Sequence, residues 1–93
     1  MTTQPTPEAF AAQAKADGFE APVPVVRESG YDLGDHSHPF HARALIVEGA
    51  ITLVVAGQAT TYRPGEVFHL PAGTSHEERA EGGVRYLSAR KPV

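Results

Sequence analysis

Two hydrophobic periods divide the chain. Phe10, Ala11 and Ala14 recur at helical spacing and form a short apolar stripe. Thr6-Pro7-Glu8 precedes it with the features of a helix start: Thr6 as N-cap, Pro7 in the first helical position, Glu8 near the positive end of the dipole. Asp17-Gly18 supplies the stop. The first five residues are expected to fray. After Gly18 the period shortens to that of strands, beginning with Val23, Val25 and Val26.

Short β-branched and aromatic segments then alternate with Gly or Pro punctuation: Ser29-Gly30, Glu48-Gly49, Ala56-Gly57, Arg63-Pro64-Gly65, Pro71-Ala72-Gly73 and Gly82-Gly83. Ile51 to Val55, the pair Ala56-Gly57, and Thr60-Thr61-Tyr62 read as a hairpin. Seven or eight strands at this spacing predict a barrel or double-sheet jelly roll. In Ala42 to Val47 both alternating sets are apolar, Ala42, Ala44 and Ile46 on one face and Leu45 and Val47 on the other. A strand covered on both faces follows. The outer cover is expected to be a second subunit in an isologous dimer, with the N-terminal helix as the other candidate.

Composition narrows the class. The 93 residues are 41% hydrophobic and 20% charged, the make-up of one small globular domain. The net charge of −3, with basic residues scattered among acids, predicts no nucleic-acid partner. No apolar run approaches a membrane span and no leader pattern opens the chain, so no membrane association and a cytoplasmic location are expected. There is no cysteine, which excludes a disulfide scaffold, a thiol nucleophile and sulfur-held metals. Any metal must be bound by His, carboxylate or water, a donor set suited to Fe, Mn, Ni, Cu or Zn.

Three of the five histidines lie in His36-Ser37-His38-Pro39-Phe40-His41. On an extended strand His36 and His38 point to the same side and can present two imidazoles to one ion. His76 follows the turn Pro71-Ala72-Gly73-Thr74, and antiparallel closure could bring it across to face them. His41 has the opposite parity and reaches the same ion only if a bulge at Pro39-Phe40 reverses the phase. His69, between Phe68 and Leu70, reads as a sheet residue, and Tyr62 and Tyr86 as strand packing. Glu77-Glu78-Arg79 reads as a solvated strand edge.

These spacings resemble the two motifs of the cupin superfamily, in particular its small single-domain bacterial members. The first motif is Gly, five residues, His-x-His, three or four residues, Glu, six residues, Gly, and is met by Gly30, His36, His38 and Gly49. The second is Gly, five residues, Pro-x-Gly, two residues, His, three residues, Asn, and is met by Gly65, Pro71, Gly73 and His76. The resemblance covers Gly30 to Ala80 and departs from the pattern twice: Ala42 stands at the Glu and Ala80 at the Asn. It implies an all-β fold, a small jelly-roll β-barrel with a short N-terminal α-helix. Residues 1–20 would form the tail and helix, and 21–93 the barrel. It also implies a divalent metal held by His36, His38 and His76, with His41 as a possible fourth ligand in place of the missing carboxylate. His36-x-His38-x-Phe40-His41 also has the spacing of the metallo-β-lactamase signature. There Phe40 replaces the Asp, the chain is too short for that fold, and the second motif goes unused.

Two functions fit the cupin resemblance. One is a metalloenzyme, dioxygenase-like, acting on a small organic substrate at open metal positions, with isomerisation or hydrolysis as variants. The other is a non-catalytic module that binds or senses a small molecule. Fold alone does not choose between them.

Overall fold

The computed structural model describes residues 4–93. The expected fraying falls on residues 1–3, which lie outside the described residues, and on Gln4 and Pro5, which belong to no regular element. Helix α1 (Pro7–Ala16) starts and stops where its caps predict. Thr6 is extended and its side chain accepts from the Ala9 N–H at 3.1 Å, while Asp17 closes the other end.

Eight strands follow: β1 (Val23–Arg27), β2 (Tyr31–His36), β3 (Phe40–Gly49), β4 (Ile51–Val55), β5 (Gln58–Tyr62), β6 (Val67–Leu70), β7 (His76–Ala80) and β8 (Val84–Pro92). They form two four-stranded antiparallel sheets of order β1-β8-β3-β6 and β2-β7-β4-β5. The predicted hairpin is β4–β5, closed by Ala56 and Gly57, both at positive φ as a two-residue turn of primed type requires. Gly49, also at positive φ, ends β3 before the chain enters the second sheet, and a Cβ there would collide with the Gly83 carbonyl oxygen.

One core lies between the sheets. The first sheet contributes Ala42, Ala44, Ile46, Phe68, Leu70, Val84 and Tyr86, and the second Ile51, Leu53 and Ala80. Ile46 and Ile51 are fully buried, and each side chain stabilises the fold by about 1.5–3 kcal/mol through removal from water.

A second cluster covers the outer face of the first sheet: Phe10 and Ala14 of α1, then Phe19, with Leu45 and Ala89 beneath them. The cover over Leu45 is therefore the helix, where a second subunit was expected. An amphipathic helix tethered a few residues from the sheet meets that apolar face without any cost of association. Val47 lies beyond the helix, at an irregularity in the β3–β8 register, and is 41% exposed.

Candidate metal centre

The β2–β7 register carries the feature that builds the site. Leu33 pairs with Glu78 but His36 pairs with His76, so β2 has one residue more than β7 between these points. This bulge, at Gly34-Asp35, reverses the phase of β2. Leu33 faces the space between the sheets ahead of it, and His36 and His38 face the same space after it. The bulge sits before the His pair, not after it at Pro39-Phe40. Phe40 and Ala42 keep the inward phase of His38, and His41 turns outward.

His36, His38, His76 and Glu78 come together, each offering a ligand atom within 4.8 Å of the others. His76 is 1% exposed and Glu78 7%. Their rings touch: His36 and His76 centroids are 4.3 Å apart, His36 and His38 4.9 Å, and His38 and His76 5.3 Å. Glu78 Oε2 lies 2.9 Å from His76 Nε2, 3.0 Å from His36 Nε2 and 3.9 Å from His38 Nε2. Its other oxygen accepts from the Tyr31 hydroxyl at 3.1 Å.

His41 is not among them. Its Nδ1 accepts from the Ala72 N–H at 3.1 Å on the outer surface, where it shares a depression with Asp17, Phe19, Arg43, His69 and Lys91. His69 is a sheet residue on that outer side, its ring edge-on to Phe19 at 6.2 Å. His41 keeps the outward parity of its strand, since no bulge at Pro39-Phe40 turns it toward the other histidines. The fourth group of the cluster is Glu78, which the charged run Glu77-Glu78-Arg79 had concealed. Spacing alone could have found it: His76 and Glu78 are two apart on a strand, as His36 and His38 are two apart, and share a face.

The ring orientations narrow the chemistry. A carbonyl can only accept, so His36 donates Nδ1–H to the Gly34 carbonyl at 2.7 Å and His76 donates Nδ1–H to the Thr74 carbonyl at 2.9 Å. In the neutral tautomer this leaves both Nε2 lone pairs aimed at a carboxylate oxygen. Two electron-rich faces meet there unless a proton or a cation lies between them. This is the arrangement of metal-binding imidazoles, whose outer N–H is held by a backbone carbonyl. Three imidazoles and one carboxylate fit a divalent first-row ion.

Burial opposes charge on Glu78, but hydrogen bonding with His76, Tyr31 and His36 outweighs it and holds the carboxyl below its ordinary range; the two histidines contribute only when Nε2 carries a proton. Burial, reinforced by the neighbouring His36 and His76, lowers the His38 pKa and favours the neutral, ligating form. The Tyr31 hydroxyl is pushed up to about 12 by burial and by the Glu78 charge, so it stays protonated and donates. Beside the cluster lies a cavity of about 100 Å³, walled by His38, Glu78, Tyr31, Phe40, Tyr86 and Arg90 among others.

A family model described as a cupin domain matches residues 25–89. The chain belongs to the cupin family. This cupin is 33% identical over 72 residues to quercetin 2,3-dioxygenase of Bacillus subtilis, a match that takes in 76% of this chain and 21% of that enzyme. Among solved structures, a Neisseria meningitidis protein is 29% identical with a TM-score of 0.66, the match covering 80% of this chain and 74% of that one. The EutQ protein of Clostridium difficile reaches a TM-score of 0.72 at 11% identity, covering 85% and 61% respectively, and shows likeness of fold alone. This cupin thus spans about a fifth of the length of the curated relative it matches.

Proposed function

We propose that this cupin binds one divalent metal ion, of the group Fe, Mn, Ni, Cu and Zn, through His36, His38, His76 and Glu78, and uses it on a small organic substrate in dioxygenase-like chemistry. The two sheets are read as the halves of a jelly-roll barrel with the site inside it. The observation that carries this reading is the orientation of His36 and His76, whose Nδ1–H groups are committed to carbonyls while both Nε2 atoms face Glu78 Oε2. The 33% identity to a dioxygenase over most of this chain supports the reaction class.

When bound, such an ion supplies Lewis acidity and, where it is redox-active, one-electron chemistry with oxygen. The chain's own residues do the rest. Gly34 and Thr74 fix the planes of two imidazoles. Glu78 brings the negative charge that Ala42 does not provide, from the opposite sheet. Tyr31 pins its outer oxygen. Phe40, Phe68 and Leu70 supply the apolar part of the adjoining wall.

The non-catalytic reading keeps one observation in its favour. With His36 and His76 protonated, the same contacts become charge-assisted hydrogen bonds to Glu78, and the network closes without an ion. Every buried side-chain N and O among the described residues then has a partner.

Metal analysis of protein purified without a chelating tag separates the two. One metal per chain, lost in His76→Ala and in Glu78→Ala, is the expected result. Metal-free protein after reconstitution with each of the five ions in turn would overturn the proposal. Oxygen uptake in a substrate screen then distinguishes turnover from binding.

A further inference from the structure

Inward positions on β8 run Val84, Tyr86, Ser88 and Arg90, so a guanidinium ends the row that lines the cavity. Arg90 is exposed at the cavity mouth and lies over the Phe40 ring, its Cζ 4.4 Å from the centroid, while His38 stacks on the same ring at 5.0 Å. One aromatic ring thus adjoins both the arginine and the His–Glu cluster. Among the described residues the arginines in ion pairs are Arg43, Arg79 and Arg85; neither Arg90 nor Arg27, which also lines the cavity, has a carboxylate within 4 Å, and Glu20 shares a neighbouring depression with Arg90.

For Arg90 the register explains why. The residue directly opposite it on β3 is Ala42. Directly paired positions place their Cβ atoms about 4.5–5.5 Å apart, close enough for a carboxylate at 42 to meet the arginine. Ala42 leaves that place small and uncharged, next to a cation, on the wall shared with His38.

We propose that the cavity selects a small organic anion, a carboxylate with a short apolar or aromatic body, and that Arg90 reads its charge. The ligand's carboxylate takes the place opposite Arg90 that Ala42 leaves without charge, and its body lies along Phe40, Phe68 and Leu70 toward the cluster. The cavity is about 100 Å³ and open to solvent at its mouth, which suits a small acid well below the size of drug-sized ligands. A planar acid also suits the ring and guanidinium that flank the mouth. The position of the reacting end rests on the metal reading above; the charge selection by Arg90 does not.

The test uses benzoate and its uncharged isostere benzamide, titrated by calorimetry into both metal-loaded and chelator-treated protein. Benzoate is expected to bind at least about tenfold more tightly than benzamide in both forms, the value of one charge-assisted pair. Arg90→Gln should erase that preference with metal content unchanged, and Arg90→Lys should restore part of it. Equal binding of acid and amide, no binding of either, or a preference untouched by Arg90→Gln would each overturn the proposal. Protein that takes no metal yet keeps the benzoate preference sinks the metal reading and leaves this one standing.

Discussion

β3 and β7 are central strands of their respective sheets, and they are buried in opposite ways. β3 turns Ala42, Ala44 and Ile46 into the core and Leu45 under the helix, so burial on both faces is apolar. β7 sends His76, Glu78 and Ala80 into the same core and leaves Glu77 and Arg79 outside. On β3 the favourable term is removal of apolar surface, which tolerates small changes of shape. On β7 the buried groups lose water and regain side-chain hydrogen bonds only with Thr74, Tyr31, His36 and each other. Apolar residues of similar volume would stabilise a strand of the second kind about as well, so stability alone does not account for its buried polar groups.

The largest expected effect breaks the apolar strand. Ile46→Ala, at a fully buried position, should lower unfolding free energy by about 2–5 kcal/mol in a denaturant titration. Folded protein at low temperature should keep the metal content of the parent, because Ile46 is not among the clustered donors. A loss below about 1 kcal/mol would mean the sheets close over the gap, and that β3 is less rigidly packed than its burial indicates.

A smaller effect is expected from the polar strand. Glu78→Ala leaves the inner nitrogens of His36 and His76 and the hydroxyl of Tyr31 without their common acceptor. In chelator-treated protein this should cost about 1–3 kcal/mol, the penalty of leaving a buried polar group unpaired. Glu77→Ala, one residue away on the outer face, should change stability by less than about 0.5 kcal/mol. Equal losses from the two would refute the division of β7 into a working face and a solvated one.

The same contrast sets how far the sequence could be read. β3 was legible as far as Leu45 because both alternating sets are apolar, though the register irregularity that exposes Val47 was not, and the His36/His38 pair and His76 were legible from spacing. Helix α1 was legible from Thr6, Pro7 and Asp17-Gly18, which act on their immediate neighbours. Glu78 was hidden because three successive charged side chains look solvated, and burial of the middle one depends on strands distant in sequence. The side taken by His41 was left open for a related reason: whether a bulge precedes or follows the His pair depends on pairing between β2 and β7, which no local residue announces. The helix as cover was left second to a dimer because length and spacing do not say which face it lies on.

The mildest prediction compares the outer faces. Outside β7, Arg79 reaches Glu77 at 3.4 Å and Asp32 at 3.9 Å, all in open solvent, and such pairs contribute little. Outside β3, Arg43 donates to Asp17 at 2.6 Å and ties the end of helix α1 to the sheet. Hydrogen bonds from Arg43 first, and then from Gln13, hold the Asp17 carboxyl below its ordinary value of 3.8. A carboxyl depressed in the folded state stabilises it fully above that ordinary value and ceases to do so as pH falls through the folded one. Thermal melts of the parent and of Asp17→Asn between pH 6 and pH 3 should therefore differ by a small, constant amount at the upper end and converge toward the lower. Asp32→Asn, on the β7 side, should run parallel to the parent throughout. A gap for Asp17→Asn that persists unchanged to the acid limit would show that the carboxylate charge does not anchor the helix, and that Phe10 and Ala14 hold it alone.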